Sequence, residues 1–128
     1  LACPPEVPAT FVPNRSPKMV MRVVVRELES WLLADRGGVA RSLGIAESLI
    51  SRFPEALHDP KQALVNLARR SRLRQRREAI VPAEGMSASV GPGYVSFVED
   101  FVVSIWDIDS ARRVAPSLDR CILRLEGL

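Results

Sequence analysis

One run of the chain is rich in valine and shows none of the helical spacing found after it. Met19 to Leu28 reads MVMRVVVREL, which predicts a single buried strand. A lone strand cannot pair its backbone groups or cover both its faces. Two resolutions are open. Either two copies pair through this strand as a dimer, or its partner strands lie upstream of Leu1. The first residue is not Met, which predicts that the chain is a piece of something longer. Residues 1–18 carry five of the ten prolines. That density blocks helix and central strand alike, so they are expected to form an extended lead-in. They show neither the basic start nor the apolar stretch of a secretory signal.

The rest of the chain, residues 19–128, is expected to form one folded unit with four or five helices after the strand. A helix is expected near Glu29, with Trp31, Leu32, Val39 and Leu43 on its inner face. Gly37-Gly38 should interrupt it and Gly44 cap its end. AESLISRF reads as a short helix. HDPKQALVNLARR is the clearest local signal: Asp59 suits an N-cap, Pro60 the first helical position, and Gln62 the capping-box partner. AIVPAEGMSASVGPG has the glycine, proline and serine of a loop. Tyr94, Phe97, Val98, Phe101, Val102 and Ile105 then recur at helical spacing. Ser117 is expected to cap a last helix that carries Leu118, Cys121, Ile122 and Leu125.

Composition excludes several classes of protein. An apolar fraction of 47% supports a core, and a net charge of +3 is too small to diagnose a nucleic-acid binder by itself. No apolar run reaches the roughly 18 residues of a membrane span. The two cysteines, Cys3 and Cys121, have no metal-ligand spacing and are expected to be reduced, as in a cytoplasmic protein. One histidine, His58, with no histidine–cysteine cluster disfavours a zinc enzyme.

Three sets of residues are candidates for function. Glu27 and Glu29 stand where a strand gives way to a helix. If the backbone is extended there, both point to one side; if helical, they lie about 200° apart. Carboxylates at the carboxyl end of a strand suit Mg²⁺. The alternative is that they complement the positive end of a helix dipole, worth about 0.3–1 kcal/mol. The second set is Arg69, Arg70, Arg72, Arg74, Arg76 and Arg77, six guanidiniums in nine residues. Guanidinium forks match phosphate oxygens, so the run points to nucleic acid. It contains no aromatic residue to stack on bases. The third set is Ser87, Ser89, Gly91 and Gly93, whose hydroxyls and amides precede the Tyr94 helix and suit an anion. The lysine and the spacing of a P-loop are missing. Asp107-x-Asp109 resembles an acidic metal pair, but the helical periodicity before it favours a cap for a following helix.

RELESWLLAD, PEALHDPKQALVNLARRSR, REAIVP, GPGY and APSLDRCILRL occur in that order. Together they resemble the second half of a bacterial family known as domain of unknown function 4276, over roughly residues 19–127. That family is similar to the Toprim-like proteins and stands near the RloB proteins of restriction and phage-defence loci. The resemblance implies the second half of a Toprim-like α/β domain. It further implies a Mg²⁺-dependent nuclease-like activity on phosphodiesters, with Glu27 and Glu29 as catalytic and metal-binding residues. The family's other acidic elements precede the matched region, so this stretch alone is expected to be inactive. The alternative reading is a non-catalytic module that binds nucleic acid through its arginines.

Overall fold

The computed structural model describes residues 28–127, and every regular element among them is helical. This corrects the α/β expectation. The parallel sheet of a Toprim-like domain is not found among the described residues, and neither is a strand through which two copies could pair. Most of the valine-rich run lies outside the described residues, but its last residue, Leu28, is already helical. Residues 28–34 form the described part of α1, which carries Leu28, Trp31 and Leu32 at helical spacing.

α1 stops at Asp35. Its backbone leaves the helical region, and its Oδ1 accepts the Gly38 N–H at 3.1 Å, capping α2 (Arg36–Leu43). The expected break at Gly37-Gly38 therefore falls at Asp35, and both glycines belong to α2. Gly44 ends α2 in the left-handed region at φ 66°, as expected, and donates to the Ala40 carbonyl. AESLISRF is no helix: it holds only a 3₁₀ turn at Glu47–Leu49, and a second turn follows at Pro54–Ala56. Arg36 ties this segment down, donating to the Glu47 carbonyl at 2.9 Å and the Ile50 carbonyl at 3.1 Å.

Asp59 and Pro60 start α3 (Pro60–Arg69) as their chemistry requires. Asp59 Oδ1 accepts the Gln62 N–H at 3.1 Å, while the Gln62 side chain donates to Asn66 and closes no capping box. The arginine run does not continue that helix. The chain turns at Ser71 and restarts as α4 (Arg74–Ile80). A loop over residues 81–93 leads to α5 (Tyr94–Ser104). Asp107 caps α6 (Ile108–Arg112), accepting from the Asp109 and Ser110 amides. α7 (Pro116–Glu126) is capped at Ala115, so Ser117 lies inside the helix instead of before it.

Two apolar clusters hold these elements together, and α1 serves both. Leu32 and Leu33 pack with Val39, Leu43, Leu64, Ile80, Phe97 and Phe101. Trp31 and Ala34 pack with Ala111, Ala115, Leu118 and Cys121. A side chain such as Leu32, 1% exposed, contributes about 1.5–3 kcal/mol by leaving water. Consecutive residues thus face opposite clusters, which explains why α1 is buried almost all round. Polar bonds lock the same junction. Trp31 Nε1 donates to Ser117 Oγ at 2.8 Å, Trp106 Nε1 to the Trp31 carbonyl at 3.1 Å, and the Asp107 amide to Asp35 Oδ2 at 2.8 Å. Ser117 in turn donates through both its amide and its hydroxyl to the Glu55 carboxylate. No helix among the described residues is long and apolar enough to cross a membrane.

Candidate nucleic-acid interface

The six arginines divide by what they touch. Three of them brace the fold. Arg76 Nε donates to the Ser42 carbonyl at 3.1 Å, and its guanidinium lies 5.1 Å from the centre of the Phe97 ring. Arg72 Nε donates to the Gly44 carbonyl at 3.2 Å, and Ser71 Oγ donates to the Leu43 carbonyl. Together they satisfy the carbonyls at the C-terminal end of α2, where helix geometry leaves acceptors without partners. Arg77 donates to the Ser71 carbonyl at 2.6 Å and so fixes the turn between α3 and α4.

The other three face water. Arg74 pairs with Glu78 at 2.9 Å, with side chains 81% and 63% exposed, so the pair contributes little to stability. The Arg69 and Arg70 side chains are exposed and have no hydrogen bond or ion pair with another described residue. Arg72 is exposed beyond its one bond, so Arg69, Arg70, Arg72 and Arg74 present their charge at the α3–α4 corner.

The serine and glycine set behaves differently. The Gly91 amide donates to the Ile80 carbonyl at 2.7 Å and the Gly93 amide to the Ala79 carbonyl at 2.8 Å. Both amides are thereby committed to the end of α4 and face no anion. A Cβ at Gly91 would stand 2.5 Å from the Ala79 oxygen, and one at Gly93 2.7 Å from the Ala79 Cβ. These glycines let two backbones touch. Ser87 and Ser89 are exposed in the same loop, with no partner among the described residues.

Glu27 lies outside the described residues. Glu29 is 3% exposed. Its Oε2 accepts the Tyr94 hydroxyl, while Oε1 is buried with no hydrogen-bond partner. Burial pushes this carboxyl above the usual range. The Tyr94 bond and the Lys61 ammonium oppose that shift, and Asp59 reinforces it. Tyr94 is pushed well above the ordinary phenol range, first by burial and then by its bond to Glu29. No group of three or more His, Cys, Asp or Glu side chains able to hold a metal occurs among the described residues. Mg²⁺ keeps several waters and takes oxygen ligands around an open face. Glu29, enclosed between α1 and α5 with Tyr94 on one oxygen, does not by itself fit that requirement.

The structure also brings together residues that the sequence does not join. Val81, Pro82, Ala83 and Pro92 form the floor of an open groove of about 480 Å³, with Arg69, Arg77 and Glu78 along its side. Pro82 and Pro92 line one groove because the Gly91 and Gly93 amides fold the loop back onto α4, so no local pattern signals it. His58 is exposed before the Asp59 cap, and Cys121 is buried in the second apolar cluster. Comparisons of the chain with protein-family models, with curated proteins and with solved structures gave no match.

Proposed function

We propose that this chain is a nucleic-acid-binding module whose phosphate contacts are made by Arg69, Arg70, Arg72 and Arg74 at the α3–α4 corner. One observation carries the reading. The run holds more guanidiniums than the fold employs, and the surplus is exposed: the Arg69 and Arg70 side chains have no partner among the described residues, and Arg74 has only a solvent-exposed one. Exposed guanidinium forks on a helical corner suit phosphate oxygens, which each planar fork can meet with two parallel hydrogen bonds. A cytoplasmic location belongs to this reading, since a nucleic-acid partner is met there. The resemblance to a nuclease-like, phage-defence family is compatible with such a partner. A Mg²⁺-dependent nuclease would need Glu27 and further carboxylates beyond the described residues, and Glu29 alone supplies no open metal face.

The test is a salt titration of binding. Labelled single-stranded and duplex DNA and RNA would be titrated with the wild type and with an Arg69, Arg70, Arg74→Ala triple variant. Arg72, Arg76 and Arg77 stay in place because each holds a backbone carbonyl. Losing three phosphate contacts should weaken binding and flatten the slope of log affinity against log salt by about 2–3. Unchanged affinity and slope would remove the arginine corner from the reading, and a wild type that binds no nucleic acid would remove the reading itself.

A further inference from the structure

The groove beside the corner has a composition that phosphate contact alone does not use. Its floor is apolar, built from Val81, Pro82, Ala83 and Pro92, and two guanidiniums stand at its side. Arg77 is held there by its bond to the Ser71 carbonyl, which leaves the remaining N–H groups of its fork available. The Arg69 side chain has no partner among the described residues. The Glu78 carboxylate at the same edge is engaged by Arg74 at 2.9 Å, so the net field of the rim is positive. The volume of about 480 Å³ falls within the range of small-molecule sites, about 300–1,000 Å³.

We propose that this groove takes one unpaired nucleotide of a single-stranded nucleic acid, its phosphate at Arg69 and Arg77 and its base on the Val81–Pro82–Pro92 floor. The inference rests on the nucleic-acid reading above and names which form of nucleic acid the corner selects. A duplex keeps its base faces stacked and offers only its phosphates, so an apolar floor adds nothing to duplex binding. An unpaired base has a free face to lay on apolar rings and on a guanidinium plane. Charge complementarity at the rim brings the phosphate in, and the floor then distinguishes a strand with exposed bases from a strand without them. The floor is shaped by backbone contacts, since the Gly91 and Gly93 amides pin the loop to α4 at 2.7 and 2.8 Å. It therefore exists before the ligand arrives.

The experiment compares a labelled oligothymidine strand with an abasic strand of the same length, by fluorescence anisotropy at fixed salt. The two carry the same phosphates and differ only in bases. The wild type should bind the natural strand several-fold more tightly than the abasic one, less than the roughly tenfold of a base stacked on an aromatic ring, because the floor is aliphatic. Ala83→Leu fills the groove at an exposed position and leaves every arginine in place. It should erase that preference without changing the salt slope. Equal binding of natural and abasic strands by the wild type would overturn the inference while leaving the phosphate reading intact. So would a preference that survives Ala83→Leu, because the base would then lie elsewhere. Displacement of the natural strand by thymidine monophosphate, at a concentration at which inorganic phosphate leaves it bound, would support the groove as the base site. Equally effective displacement of the natural strand by an acidic peptide would overturn it. Binding of neither strand would overturn the phosphate reading and the inference together.

Discussion

Replacing Gly91 by alanine tests whether the GPG segment is a packing device or an anion-binding loop. Gly91 does not have a positive φ, so alanine meets no backbone penalty there. The cost is steric. The new Cβ would stand 2.5 Å from the Ala79 oxygen, 2.8 Å from the Val81 oxygen and 2.9 Å from the Ile80 carbon, all backbone atoms that cannot swing aside. Overpacking of this kind costs about 1–3 kcal/mol. Relief requires the loop to lift, which breaks the Gly91 and Gly93 bonds to α4 at about 1 kcal/mol each. Both routes centre on a loss of about 2 kcal/mol. For a chain of this size that lowers the Tm by roughly 8 °C. Gly85→Ala is the control: its φ of 84° strains any side chain, but its Cβ would meet nothing within 4 Å. It should cost only about 1–2 kcal/mol. The assay is urea unfolding followed by circular dichroism, with the m-value checked for constancy. If Gly91→Ala is as mild as Gly85→Ala, the close contact between the loop and α4 is wrong. The floor of the groove would fall with it.

Three further outcomes follow from the same packing. Glu29→Gln should reduce the dependence of stability on pH. The folded carboxyl is pushed above its unfolded value by burial, so the native state binds more protons, and stability falls as pH rises from the ordinary carboxylate range to the folded pKa; denaturation midpoints of the wild type that rise across that window would contradict it. Ser117→Ala should cost about 1–3 kcal/mol, because it strips the buried Trp31 indole N–H of its acceptor, and an unchanged unfolding midpoint would show that the bond contributes nothing. Arg76→Ala should destabilise by about 1–3 kcal/mol through the Ser42 carbonyl and the Phe97 face, whereas Arg74→Ala should stay within about 0.5 kcal/mol; equal midpoints for the two variants would refute the division of the arginines.

Local chemistry wrote the helix ends into the sequence. Asp59 before Pro60, Gly44 after Leu43 and Asp107 before a short helix each act within four residues, so their residue types suffice to place them. The helix from Tyr94 was legible for the same reason: Tyr94, Phe97 and Phe101 share its buried face, while Val102 of the expected stripe is exposed and Ile105 stands at the C-cap. What failed was inference from a composition that fits two structures. A helix from about Glu29 with Trp31 and Leu32 inside was legible and is found, whereas the α/β class was read from the valine-rich run before it, and every regular element among the described residues is helical. Ser117 has the chemistry of a cap, yet Trp31, 86 residues away, and Glu55, 62 residues away, claim it inside α7. The arginine run shows the limit most plainly. The sequence determines that six cations stand together. Only the tertiary structure, by bringing the carbonyls of Ser42 and Gly44 to Arg76 and Arg72 across 34 and 28 residues, decides which of them brace the fold and which are left for a partner.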